Sequence, residues 1–222
     1  MVSTKKGDFI EVEYTGRAGG SVFDTTHASV AKDSGLQHSH FEFKPQVICL
    51  GEKHMLPGLE AELAGKEVGK VYTITLPPER AFGKKNPKLL RMVPTSSFSK
   101  EKIMPVPGLT VNIDGIGGII RTVTGGRVIV DFNHPLAGKE VVYDIRINRI
   151  VDDEKLKVES LMKALLGIKP KIELNEQKAI VTVPAEIPKE IAEDISKKVA
   201  GLTKIKEVGF VVEKEKVQTV KV

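Results

Sequence analysis

With 222 residues, 41% hydrophobic and 28% charged, the chain has the make-up of an ordinary globular protein, long enough for two or three compact units. No stretch approaches the run of about 20 apolar residues that a membrane span needs, and the single cysteine, Cys49, excludes an internal disulfide framework. A net charge of +5 leaves room for an acidic partner, yet most lysines alternate with glutamates, and the acid-free basic run Lys84, Lys85, Lys88 and Arg91 reads first as a solvated loop. The opening residues, Met1 to Asp8, lack the apolar core of a secretion signal, so a cytoplasmic protein is expected.

Residues 7–16 alternate as a strand, with Phe9, Glu11 and Glu13 on one face and Ile10, Val12 and Tyr14 on the other. A turn over Gly16–Ser21 leads to a second strand, Val22–Thr26, and residues 27–35 predict a short helix ended by Gly35. Val47–Leu50 reads as a buried strand. Pro57 near the start and Gly65 past the end frame a helix running to about Leu63. Val71–Leu76 is the next strand, stopped by Pro77-Pro78.

From Lys88 the character changes. Pro94-Thr95-Ser96-Ser97 starts a short helix, and strands at 109–113, 119–123 and 127–131 follow as a meander, with turns over Asp114–Gly118 and at Gly125-Gly126. A last strand of the first unit runs from Val141 to Ile150, next to the strand before the meander, so the meander reads as inserted. Asp152-Asp153-Glu154 reads as a charged hinge into a small αββαβ unit. Its helices are expected at 154–166 and 188–200, ended by Gly167 and Gly201. Its hairpin is expected at 171–174 and 178–183, and its final strand at 206–215.

Three separated motifs stand out: Glu11–Gly16, the stretch Leu50-Gly51-Glu52-Lys53-His54-Met55-Leu56-Pro57-Gly58-Leu59-Glu60, and Ala81-Phe82-Gly83. With them the chain resembles the FKBP-type peptidyl-prolyl isomerases over residues 7–83 and 139–151. The connection, with the phrase Asp131-Phe132-Asn133-His134-Pro135-Leu136-Ala137-Gly138-Lys139, is similar to the insert-in-flap domain of SlyD-like members, and the tail resembles the extra C-terminal domain of long archaeal forms. The resemblance implies an α+β protein: an FKBP-like antiparallel sheet wrapped on a short helix, an inserted β-rich domain and a C-terminal αββαβ domain. The expected domains are residues 1–87 plus 136–151 (isomerase), 88–135 (insert, chaperone) and 152–222 (tail).

Residue by residue, the resemblance implies catalytic positions at Tyr14, Asp24, Phe82 and Tyr143, and substrate-binding positions at Phe23, Ile48, Met55, Leu56 and Leu59. Met55 and Leu56 match the pair whose backbone contacts substrate. Leu59 stands where many members carry tryptophan, and Phe82 where the family usually has tyrosine. Flexible or exposed apolar residues of the insert, Met92, Phe98, Met104, Leu109 and Ile116, are expected to bind clients.

No cofactor or metal is expected. His27, His38, His40 and His54 lack a Cys-x-x-Cys or His-Glu-x-x-His companion. Gly115-Ile116-Gly117-Gly118 fails the dinucleotide fingerprint, and the tail lacks a Gly-x-x-Gly clamp and stacking aromatics.

The expected activity is isomerisation of X–Pro bonds in unfolded or partly folded clients, by an apolar pocket that favours the twisted amide without covalent chemistry. A holdase with little turnover is the alternative, and an RNA-associated factor, resting on basic charge alone, a third. The tail's exposed strand edges leave two arrangements open: pairing with a second copy, or packing on its own chain.

Overall fold

The computed structural model describes residues 2–36 and 43–213. The chain divides into two compact units, one from Met1–Thr75 and Val142–Val222, the other from Leu76–Val141.

The first unit is organised around β1 (Phe9–Ala18), whose apolar–polar alternation makes it a strand with two working faces. It pairs antiparallel with β2 (Ser21–Thr25) across a two-residue turn, Gly19-Gly20, in which both glycines have positive φ, 58° and 81°. Its other half pairs antiparallel with β3 (Gln46–Cys49). Together with β9 (Val141–Ile150) and β4 (Val71–Leu76) these make a five-stranded sheet, β9 lying between β1 and β4. A short helix, α1 (Ala28–Asp33), follows β2. Helix α2 (Pro57–Leu63) opens on proline, whose missing N–H costs nothing at a helix start, and Gly65 follows it with φ 83°. Ile10 and Val12 of β1, Leu59 and Leu63 of α2, and Ile145 and Ile147 of β9 are buried.

The tail follows the expected αββαβ order: α4 (Glu154–Leu166), β10 (Lys171–Asn175), β11 (Lys178–Val183), α5 (Lys189–Leu202) and β12 (Glu207–Val212). β11 pairs antiparallel with β10 and parallel with β12. The tail does not bury its apolar faces alone. Val158, Leu161 and Met162 of α4 and Ile195 and Val199 of α5 share one core with Phe9, Cys49 and Val151. Phe9, on the face of β1 opposite Ile10, is thereby buried, a gain of about 2–3 kcal/mol over an exposed ring. The tail therefore packs on its own chain.

Two expectations for the tail are corrected. Residues 152–154 are a helix cap, not a hinge: the Val151 amide donates to the Phe9 carbonyl at 2.7 Å, and Asp153 Oδ1 accepts the Leu156 amide at 3.0 Å. Gly167 ends α4 in the left-handed region (φ 67°), but Gly201 lies inside α5, which runs on to Leu202. The Thr203 hydroxyl and amide there donate to the Val199 carbonyl at 2.8 and 2.9 Å, a stop that needs no left-handed glycine. Residues 214 and 215 of the expected final strand, and His38 and His40, lie outside the described residues.

The second unit holds a four-stranded sheet of order β5-β8-β7-β6, from β5 (Leu90–Pro94), β6 (Thr110–Ile113), β7 (Ile116–Thr124) and β8 (Arg127–Asp131). Helix α3 (Thr95–Lys100) contributes Phe98 to a core with Val111, Ile120, Val128 and Val130. β5 has no counterpart in the sequence reading, because Pro94 and two outward apolar residues blur its alternation. The turn expected over residues 114–118 is shorter. Asp114-Gly115 alone, at φ 53° and 80°, makes it. Gly118 is already strand, where a Cβ would come 2.7 Å from Val130 Cγ1. Among the described residues no helix is long and apolar enough to cross a membrane.

Candidate functional site

Tyr14, Phe23, Asp24 and Tyr143 come together on the first unit. The register shift between Gly16 and Arg17 bends β1 against β2. Tyr143, from β9, meets Tyr14 edge-on at 5.9 Å between ring centroids and Phe23 at 5.7 Å and 88°. Gly16 makes this possible: a Cβ there would stand 2.8 Å from Tyr143 Cε1 and 2.9 Å from Phe23 Cζ. The Tyr14 hydroxyl donates to Asp24 Oδ2 at 3.1 Å. Burial first, then the Asp24 carboxylate, raises the Tyr14 phenol well above its ordinary value, and the same two causes raise Tyr143. Both phenols keep their protons. Next to Tyr143, Asp144 accepts from the Thr73 hydroxyl at 2.8 Å and pairs with Arg17. The Thr73 hydrogen bond and the Arg17 guanidinium hold the Asp144 carboxyl below its usual range.

Ile48 lies on β3, Met55 and Leu56 on the loop that follows it, and Leu59 on α2. Ile48 lies opposite Ile10 in the β1–β3 register and is buried. Met55 and Leu56 are half-buried at the end of the loop after β3, and Leu59 on α2 has no exposed surface. The sequence reading missed what shapes this loop. Glu60 is a buried carboxylate whose Oε2 accepts the amides of Gly51 (2.9 Å) and Lys53 (3.2 Å), while Oε1 accepts that of Met55 (2.8 Å). The signal was present: an acid in the first turn of a helix that follows a glycine-bearing loop. Cys49, where β3 ends, is buried, and its thiol is pushed up to about 12, by burial first and then by Glu52 and Glu60. It packs and stays protonated.

On the second unit, Phe82 stacks on His134, ring centroids 4.6 Å apart and nearly parallel. Among the expected client residues, Met104 is 82% exposed, Met92 60% and Ile116 49%. Phe98 is corrected: at 4% exposure it is the centre of that unit's core, because α3 turns it onto the sheet. Leu109 also packs partly against that core. Leu90, Ile103 and Val106 join the exposed apolar residues.

A cavity of about 530 Å³ on the first unit is lined among others by Lys44, Val47, Arg149, Leu156, Ser160 and Lys163. Among the described residues no group of three or more histidines, cysteines or carboxylates is gathered as metal ligands would be.

The ring cluster presents apolar walls, one carboxylate and protonated phenols, which is equipment for holding a small apolar segment of chain by non-covalent contact. Comparison with known proteins gives this class its family. The family model described as FKBP-type peptidyl-prolyl cis-trans isomerase matches residues 2–98, and the model "FKBP26, IF domain" matches residues 91–136. The short-type peptidyl-prolyl cis-trans isomerase of Methanocaldococcus jannaschii is 34% identical over 146 residues, covering 66% of this chain and 93% of that protein. The FKBP-type 16 kDa peptidyl-prolyl cis-trans isomerase of Escherichia coli K12 is 38% identical over 116 residues, covering 48% of this chain and 74% of that protein. The FKBP-type peptidyl-prolyl cis-trans isomerase SlyD of Vibrio cholerae is 35% identical over 101 residues, 44% of this chain and 50% of that protein. The chain belongs to the FKBP-type peptidyl-prolyl cis-trans isomerase family.

Proposed function

We propose that this chain isomerises X–Pro bonds in unfolded or partly folded proteins, with Tyr14, Phe23, Asp24 and Tyr143 contacting the proline segment and Ile48, Met55, Leu56 and Leu59 completing its pocket. An X–Pro bond relaxes in tens to hundreds of seconds unaided, over a barrier of about 18–20 kcal/mol. Resonance that keeps the amide planar also charges its carbonyl oxygen, which water solvates. An apolar site removes that solvation and favours the less polar, twisted amide. The observation that carries the reading is the Tyr14–Asp24–Tyr143 constellation: it fixes one carboxylate beside apolar rings and holds both phenols protonated. Rotation about the amide then needs no proton transfer.

The second unit supplies client affinity in this reading, through Met92, Met104 and Ile116, whose exposed side chains suit unspecific apolar segments. Binding there raises the local concentration of prolines at the pocket. Deleting residues 89–135 is expected to spare turnover of a short proline peptide and to weaken catalysis of a proline-limited refolding reaction. Equal losses on both would contradict the division of labour. A holdase with little turnover is the second reading, favoured by Phe82, which carries no hydroxyl and lies stacked on His134. Absence of peptide turnover together with suppressed aggregation would select it.

The reading places the chain in the cytoplasm. It also includes pairing of two copies along the tail's sheet, where β10 and β12 are edges and Val211 and Val212 are exposed. A monomer mass at every concentration in sedimentation would remove that pairing.

A further inference from the structure

We propose that the tail is a positioning element of the isomerase site: Lys198 of α5 holds the loop of residues 51–55, which delivers the Met55 backbone to substrate, while Ser160 of α4 holds the strand that enters it. The inference rests on the reading of Met55 given above.

The loop is gripped from two sides. From within, Glu60 takes the amides of Gly51, Lys53 and Met55, as described, and Lys53 sits at φ 61°, a left-handed conformation that a lysine adopts only when its surroundings impose it. From the tail, Lys198 Nζ pairs with Glu52 Oε2 at 2.9 Å, both side chains being about two-thirds or more covered. The Ser160 hydroxyl has one proton, and the Val47 carbonyl at 2.8 Å takes it. The same oxygen stands 3.4 Å from His54 Nδ1, which accepts the Cys49 amide at 3.2 Å. That acceptance puts the imidazole proton on Nε2, which is buried with no hydrogen-bond partner among the described residues. His54 is thus held through Nδ1 by the Cys49 amide, and no proton is left to bond it to Ser160. Directly before the loop, Cys49 is buried in the core that also holds Val158, Leu161 and Met162 of α4 and Val199 of α5. The tail therefore holds the strand that enters the loop, through Ser160 and Val47, and a side chain at the loop's start, through Lys198 and Glu52.

A pair this covered is worth more than an exposed ion pair. Reversing Lys198 would also set a third carboxylate near Glu52 and Glu60. The test uses the full chain and a short proline peptide, with kcat and KM measured separately for Lys198→Glu, Glu52→Lys and the double exchange. Lys197→Glu, a change to an outward residue paired only loosely with Asp194, is the control. Each single reversal is expected to lower kcat/KM about fivefold, chiefly through KM because the loop meets substrate by its backbone. The exchange should restore it to within about twofold, and Lys197→Glu should leave it unchanged. Single reversals that leave KM untouched, or an exchange no better than the two losses combined, overturn the positioning role while the site stands. A wild-type chain with no turnover overturns the reading of the site and this inference with it.

Discussion

The Tyr14 hydroxyl donates to Asp24 across the β1–β2 hairpin, at 3.1 Å, although the two residues are ten apart in sequence. The bond ties the ring wall to the carboxylate, so each orients the other. Replacing Asp24 by alanine leaves the Tyr14 hydroxyl without this acceptor. Peptide isomerisation is expected to slow about ten- to a hundredfold, equivalent to ~1.4–2.7 kcal/mol, with the circular dichroism spectrum unchanged. Asp24→Asn keeps an acceptor oxygen and should lose less. Unchanged turnover in the alanine variant would remove Asp24 from the mechanism.

Gly16 is predicted to be replaceable only at the expense of the ring cluster. Its φ is not left-handed, so the objection is steric: a Cβ meets Tyr143 and Phe23 below 3 Å. Gly16→Val should cost about 1–3 kcal/mol in urea unfolding and depress turnover as well, since the rings it displaces are the walls. A valine variant with wild-type stability and rate would show that the rings relax freely.

Glu60→Gln separates charge from shape. Glutamine retains one acceptor oxygen but turns an NH2 toward amides that themselves donate, so at least one of the three loop hydrogen bonds is lost. The expected loss is about 1–3 kcal/mol of stability, with a raised KM because Met55 is among the amides released. Identical denaturation midpoints would argue that water replaces the carboxylate without penalty.

His54 makes stability depend on pH. Burial lowers its affinity for a proton below the usual 6.5, with the Glu60 charge opposing. The unfolded chain therefore takes up the proton first. Stability contributed by neutral His54 is present in full above about pH 6.5 and declines as pH falls through the interval down to the folded-state value. Chemical denaturation from about pH 8 down to ~5 should show this decline, and His54→Asn should flatten it. A variant with the same slope as wild type would assign the decline to other groups.

The order of elements was legible because it rests on local chemistry: alternation in β1, proline before and glycine after α2, the left-handed Gly167. The ring cluster was legible only through resemblance, since nothing local brings Tyr143 to Tyr14 across 129 positions. What escaped depends on partners distant in sequence. Phe98 looks like any apolar residue in a polar stretch until α3 turns it onto a sheet. Residues 152–154 look like a hinge until Asp153 caps α4 and the tail closes over Phe9. Glu60 looks solvated until three amides converge on it. Gly201 could end a helix, but α5 runs past it and stops at Thr203.

The most direct measurement is exchange spectroscopy of a short proline peptide with the full chain, without a coupled protease, in light and heavy water from neutral pH to about 9. A non-covalent pocket with protonated phenols predicts cis–trans exchange well faster than the unassisted tens to hundreds of seconds, flat with pH and equal in the two solvents. Exchange at the unassisted rate, or exchange that slows markedly in heavy water, would contradict it.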